Sequence, residues 1–223
     1  MRKKRKKYRS MEITLEPKQV DILKKLGNIG SGNAIKALSK LLSHEIEVSL
    51  TSVDIIPFWR VYEMFDIPNI SIFGIYSKIS YTSDLAIIQI FSKESTINLL
   101  NSLSGYNKIL VKDINVINDL DEFSYSIISE IGNILTGSYA NALADLLSIK
   151  LIPTVPKIAL DTLNALLNGI IAKFSQFSDY LILIKTIVRI PDMNIQGLIG
   201  FIPSMTILEE FFSILNIKYN LNL

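Results

Sequence analysis

One stretch of eighteen residues occurs twice in this chain, and the duplication limits the folds open to it. Leu26 to Ser43 (LGNIGSGNAIKALSKLLS) aligns without gaps on Ile131 to Ser148 (IGNILTGSYANALADLLS) at a shift of 105, with nine positions identical. Gly27, Asn28, Ile29, Gly32, Ala37, Leu38, Leu41, Leu42 and Ser43 each meet their own kind between Gly132 and Ser148. Two copies of one supersecondary unit imply a pseudo-symmetric architecture, in which a feature of one copy can be checked against the other. The 223 residues, 49% of them hydrophobic, suffice for a sizeable core in one large domain or two fused small ones.

Each copy opens with a helix. In the second, Asp119 followed by Glu122 has the look of a capping box, and Phe123, Ile127, Ile131, Ile134 and Leu135 form an apolar stripe facing a core. Ser126, Ser129, Glu130, Asn133 and Gly137 form a polar line along the other side, and the first copy's equivalent is Asp21, Lys24, Lys25, Asn28 and Gly32. Helical glycine costs about 1 kcal/mol relative to alanine, so these glycines point to close packing or to close approach of a partner. For Gly27 and Gly132, packing against a sheet is at least as good a reading.

After each helix the period changes to two, first at Ile46, Val48 and Leu50. A hairpin is predicted from strands near 71–80 and 85–91, joined through Thr82, Ser83 and Asp84, then a helix over about 93–103. The second copy repeats this with strands near 150–160, 180–190 and 196–202 and a helix over about 205–215. The expected fold is therefore α+β: pseudo-two-fold duplicated α-β-β-β-α units, with a mostly antiparallel sheet carrying two long helices on one face. The expected organisation is a basic disordered tail over 1–10 and a single domain over 11–223, built from repeats of about 11–105 and 113–216.

Seven of the 23 basic residues lie in the first nine positions (Arg2, Lys3, Lys4, Arg5, Lys6, Lys7 and Arg9), leaving 16 basic against 21 acidic residues elsewhere. Such a run can bind nucleic acid or an anionic membrane, but with only Tyr8 as an aromatic it reads as a solvated tail, with Met11 as an alternative start. No apolar run reaches the roughly 18 residues of a membrane span, and Glu12, Glu16 and Lys18 stand where a secretory signal needs an apolar region. The chain reads as soluble and cytoplasmic, with no nucleic acid partner and no membrane insertion. With no cysteine and one histidine, thiol chemistry is excluded and imidazole metal binding has little to work with. His44 follows a helix end and reads as a cap, and Trp59 reads as a core or interface anchor.

Of the chemistry-bearing pairs, Glu130 and Asn133 stand out, since they share the polar line of a repeated helix and the asparagine recurs as Asn28. Spacing alone is weak, because an exposed acid and amide three apart are most often solvated surface. The surrounding text, EIGNILTGSYANALADLL, resembles the CheC/CheX/FliY phosphatases from about Met11 onward. Their pattern is Asp or Ser, three residues, Glu, two residues, Asn, twenty-two residues, Pro, and Ser126, Glu130, Asn133 and Pro156 match every position and spacing. Two units without an added switch-binding domain favour the CheC type.

The resemblance implies dephosphorylation of a CheY-like response regulator in chemotaxis. Asn133 would orient the attacking water and Glu130 would contact a lysine of the receiver. No cofactor of its own is implied, because the magnesium ion belongs to the receiver. In the first copy Asp21 and Asn28 match, but Lys25 replaces the glutamate and Thr51 the proline, which implies a degenerate second site. The competing reading is a non-enzymatic adaptor that binds CheD or a motility-switch protein.

Overall fold

A computed structural model describes residues 15–57, 71–79, 85–103, 109–174, 180–193 and 195–219. The basic start, Trp59 and the Thr82–Asp84 turn lie outside the described residues. Among those described, five helices and six strands follow in the order α1 (Pro17–Leu42), β1 (Glu47–Pro57), β2 (Ser71–Lys78), β3 (Leu85–Ser92), α2 (Lys93–Leu103), α3 (Glu122–Leu147), β4 (Lys157–Thr162), α4 (Leu163–Phe174), β5 (Tyr180–Ile190), β6 (Ile195–Pro203) and α5 (Met205–Tyr219). The long helices have 26 residues each, and both ends of α3 fall 105 positions after those of α1. Each closes on a serine in the left-handed region, Ser43 and Ser148, both at φ 55°.

The strands form one sheet in the order β1-β5-β6-β3-β2-β4, every neighbouring pair antiparallel, and with the helices make an α+β fold. Exchanging β1 with β4, β2 with β5 and β3 with β6 gives the same order read backwards. The first strand of each half hydrogen-bonds the hairpin of the other, β1 on β5 and β4 on β2. Neither half can therefore complete its ladder without the other.

One face of the sheet carries Phe73, Ile75, Ile87, Phe91, Ile199 and Phe201, packed with Leu26 and Leu38 of α1, Ile131 and Leu135 of α3, and the apolar sides of α2 and α5. The opposite face carries Ile72, Ile88, Ile90 and Ile202, with Leu163 and Leu167 of α4. Burial on both faces explains why β2 and β3 are near-continuous apolar runs rather than alternating ones. α4 sits close because β2 has Gly74 there: a Cβ on it would lie 2.5 Å from Leu166 Cδ1.

Several local expectations are corrected. α4 occupies a stretch in which no helix was expected, although Leu163, Leu166, Leu167 and Ile171 recur at helical spacing. β4 begins at Lys157 rather than near 150, and β1 runs on to Pro57 because a register shift between Ser49 and Ser52 breaks the alternation without ending the strand. The cap of α3 is Asp121, whose Oδ1 accepts from Ser124 N–H at 2.7 Å. Asp119 instead closes a preceding 3-10 turn, its Oδ2 accepting the N–H groups of Asn115 and Val116. His44 lies 4.0 Å from Asp192, while Ser43 makes the turn that ends α1.

Candidate functional site

α3 sits on the sheet through Ile128, Ile131, Gly132, Leu135 and Thr136, all buried, and Ser126, Glu130 and Asn133 face outward. The 3.6-residue period puts Asn133 one turn beyond Glu130 on that outer line. Among the described residues no hydrogen bond or ion pair engages the side chain of either. The amide of Asn133 thus offers two donors and a carbonyl oxygen outward, beside a carboxylate.

Pro156, distant in sequence, is brought to the same turn. A Cβ on Gly132 would lie 2.7 Å from Ile75 Cγ2 and 3.4 Å from the Pro156 ring, so the missing side chain lets α3 settle on β2 and the proline together. The segment carrying Pro156 is tied to the sheet edge. Thr154 N–H donates to the Lys78 carbonyl at 2.8 Å, and Lys78 N–H donates to Thr154 Oγ1 at 3.0 Å. The residue beside Asn133 is thereby fixed by helix, strand and loop. Gly137, by contrast, has open space where its side chain would be.

One exposed apolar side chain extends this line, Phe123 at 58%, whereas the exposed Val155 borders a cavity with Gly74, Tyr76 and Leu166 on the α4 side of the sheet. Phe123 is a correction, having been expected in the core stripe. Its spacing carried the signal, since Phe123, Ser126, Glu130 and Asn133 fall at i, i+3, i+7 and i+10.

The first half places Asp21, Lys24, Lys25 and Asn28 on the equivalent exposed line of α1. Its charge is reversed. α1 carries Lys18, Lys24, Lys25, Lys36 and Lys40 against Asp21, whereas α3 carries Glu122, Glu130 and Asp145 with no lysine or arginine. Thr51, at the position of Pro156, falls in β1 beside its register shift.

The cap of α3 is a titratable carboxylate. Bonds from the Ser124 hydroxyl and backbone N–H hold the Asp121 carboxyl below the ordinary aspartate range. A depressed carboxyl pKa stabilises above the unfolded-state pKa, and the contribution is lost as pH falls through the folded value. Protection of the Ser124 amide, relative to its intrinsic exchange rate, should be lost only below the ordinary aspartate range, and Asp121→Asn should remove that dependence. Protection that is equally pH-dependent in the variant would contradict the assignment.

No helix among the described residues is long and apolar enough to cross a membrane. The model of the CheC-like family matches residues 123–160, a span that holds Ser126, Glu130, Asn133 and Pro156. Over 175 residues the chain is 31% identical to the CheY-P phosphatase CheC of Bacillus subtilis strain 168, covering 77% of this chain and 80% of that protein. Its fold is similar to the crystal structure of FliY from Thermotoga maritima, with a TM-score of 0.68 and 17% identity over 92% of this chain and all of that one. It is also similar to a chain of the FliM-SpeE complex of H. pylori, with a TM-score of 0.66 and 12% identity over 94% of this chain and all of that one.

Proposed function

The chain belongs to the CheC-like family, and from that premise we propose that it hydrolyses the aspartyl phosphate of a CheY-like response regulator, with Asn133 and Glu130 as the working pair. The observation that carries this reading is the outward pair on α3, unengaged among the described residues and seated against Pro156 through Gly132. Hydrolysis of an acyl phosphate needs a water in line with phosphorus, and charge on the phosphoryl oxygens must be neutralised. The receiver supplies its own magnesium ion and lysine for the second task. The phosphatase is left to place the nucleophile.

Asn133 can hydrogen-bond the water and hold it in line without taking its proton, so its contribution is orientational. Glu130, one turn back, pairs with the receiver's lysine and fixes the docking register, while Phe123 covers apolar surface at the rim. No metal or covalent intermediate of the chain's own enters this scheme. The expected partner is a cytoplasmic receiver, so the protein would act in the cytoplasm.

The test is decay of a phosphorylated cognate receiver, with and without the protein. Acceleration that requires substoichiometric amounts only is expected, and an unchanged decay rate contradicts the proposal. Glu130→Ala should weaken receiver binding about two- to fivefold, the range of an exposed ion pair, and lower the rate with it. Unaltered binding would remove Glu130 from the interface.

A second reading, an adaptor for CheD or a switch protein, draws on the lysine-rich outer line of α1, where the family pattern has lost its glutamate. It predicts partner binding that survives loss of Asn133 together with no effect on receiver decay.

A further inference from the structure

We infer that Gln89, buried in β3 beneath α3, is a positioning residue that sets Asn133 in place; this rests on the function proposed above. Gln89 has no exposed surface, and its Nε2 donates to the Gly132 carbonyl at 3.0 Å and to Thr136 Oγ1 at 3.0 Å. Thr136 in turn donates to Ser77 Oγ on β2 at 3.3 Å. The Gly132 carbonyl belongs to the rigid planar unit that ends at the Cα of Asn133. A donor fixed in the sheet that grips this carbonyl fixes the height and tilt of the peptide from which the Asn133 side chain projects.

The bond is retained at a cost. A carbonyl can only accept, so the amide must turn its NH2 toward α3, and Gln89 Oε1 is left buried without a partner. Such an orphan acceptor is destabilising, and an apolar side chain of the same size would avoid it.

The other half of the molecule has taken that apolar option. Ser92 Oγ accepts from Ser95 N–H at the start of α2, and Ser204 Oγ accepts from Ile207 N–H at the start of α5, so β3 and β6 correspond at a shift of 112. Gln89 then corresponds to Phe201, which borders the same small void as Gly27, the counterpart of Gly132. Among the described residues no side chain donates to the Gly27 carbonyl, and Ser31, counterpart of Thr136, turns back onto the Asn28 carbonyl at 3.1 Å. The polar latch is present under the helix that keeps Glu and Asn and absent under the one with Lys25.

The test is Gln89→Met, nearly isosteric and without polar hydrogen. Its melting temperature should stay within about 2 °C of the parent, since the orphan oxygen leaves with the latch. Backbone amide exchange at Asn133 and Thr136 should rise while the rest of α3 is unchanged, a readout independent of any phosphatase activity. With a phosphorylated receiver the maximal rate should fall about tenfold at unchanged half-saturation, and Gln89→Glu should regain rate as pH is lowered and its carboxyl can donate. An unchanged exchange pattern, or a melting temperature that falls in step with rate, overturns the positioning role. Failure of the parent protein to accelerate decay while the exchange prediction holds overturns the proposed reaction and leaves the latch standing.

Discussion

Replacing Asn133 by alanine is expected to lower the maximal rate of receiver dephosphorylation at least about tenfold, while affinity for the phosphorylated receiver stays within about twofold. The split follows from the role proposed for the side chain. In that proposal its amide contacts a water rather than the partner, so its loss removes an interaction made on the way to the transition state and leaves the bound ground state alone. The exposed position of Asn133 also means that truncation creates no cavity, so folding stability should be unaffected. Equilibrium binding to a receiver carrying a stable phosphoryl mimic, alongside single-turnover decay, separates the two quantities. Equal losses of binding and rate would make Asn133 a docking residue.

Phe201→Ala should have the largest effect on stability, about 3 to 5 kcal/mol. Phe201 is 1% exposed at the junction of the two halves, where β6 pairs with both β3 and β5. Its ring lies by Gly27, Tyr139 and Leu143, so no neighbouring element can collapse into the space without shifting the contact between α1 and α3. That contact is tight, since a Cβ on Gly30 would fall 2.7 Å from the Tyr139 ring. A loss of this size is a large fraction of the stability of an ordinary domain, so the variant should unfold at a much lower urea concentration. A shift under about 1 kcal/mol would mean that the two halves do not depend on each other through this residue.

Much of this architecture was legible in the chain because the repeat sets lengths as well as identities. The shift of 105 read from Leu26 and Ile131 also relates the ends of α1 to those of α3, including Ser43 and Ser148. The outer line of α3 was legible for the same reason, since helical spacing alone puts Ser126, Glu130 and Asn133 on one side. Phe123 reads as core by hydrophobicity but belongs to that outer line by spacing. β4 and α4 lie where an apolar run fits both periods and tertiary contact decides, here Leu166 against Gly74. The Pro156 contact was implied by the family pattern, but its mechanical basis in the bare surface of Gly132 needed the fold. Gln89 could not be found from sequence. Its partner on α3 is 43 residues away, and the register of β2 and β3 brings them together.

The central claim is that catalysis belongs to α3 and not to its counterpart α1. Lys25 stands on α1 where Glu130 stands on α3, so a receiver lysine that Glu130 is proposed to attract would be repelled there. The most direct test compares decay of one phosphorylated receiver with the parent protein, Asn28→Ala, Asn133→Ala and the double variant. The parent rate should persist in Asn28→Ala, and Asn133→Ala and the double variant should be equally slow. If Asn28→Ala costs as much as Asn133→Ala, both helices work and the single-site account is wrong.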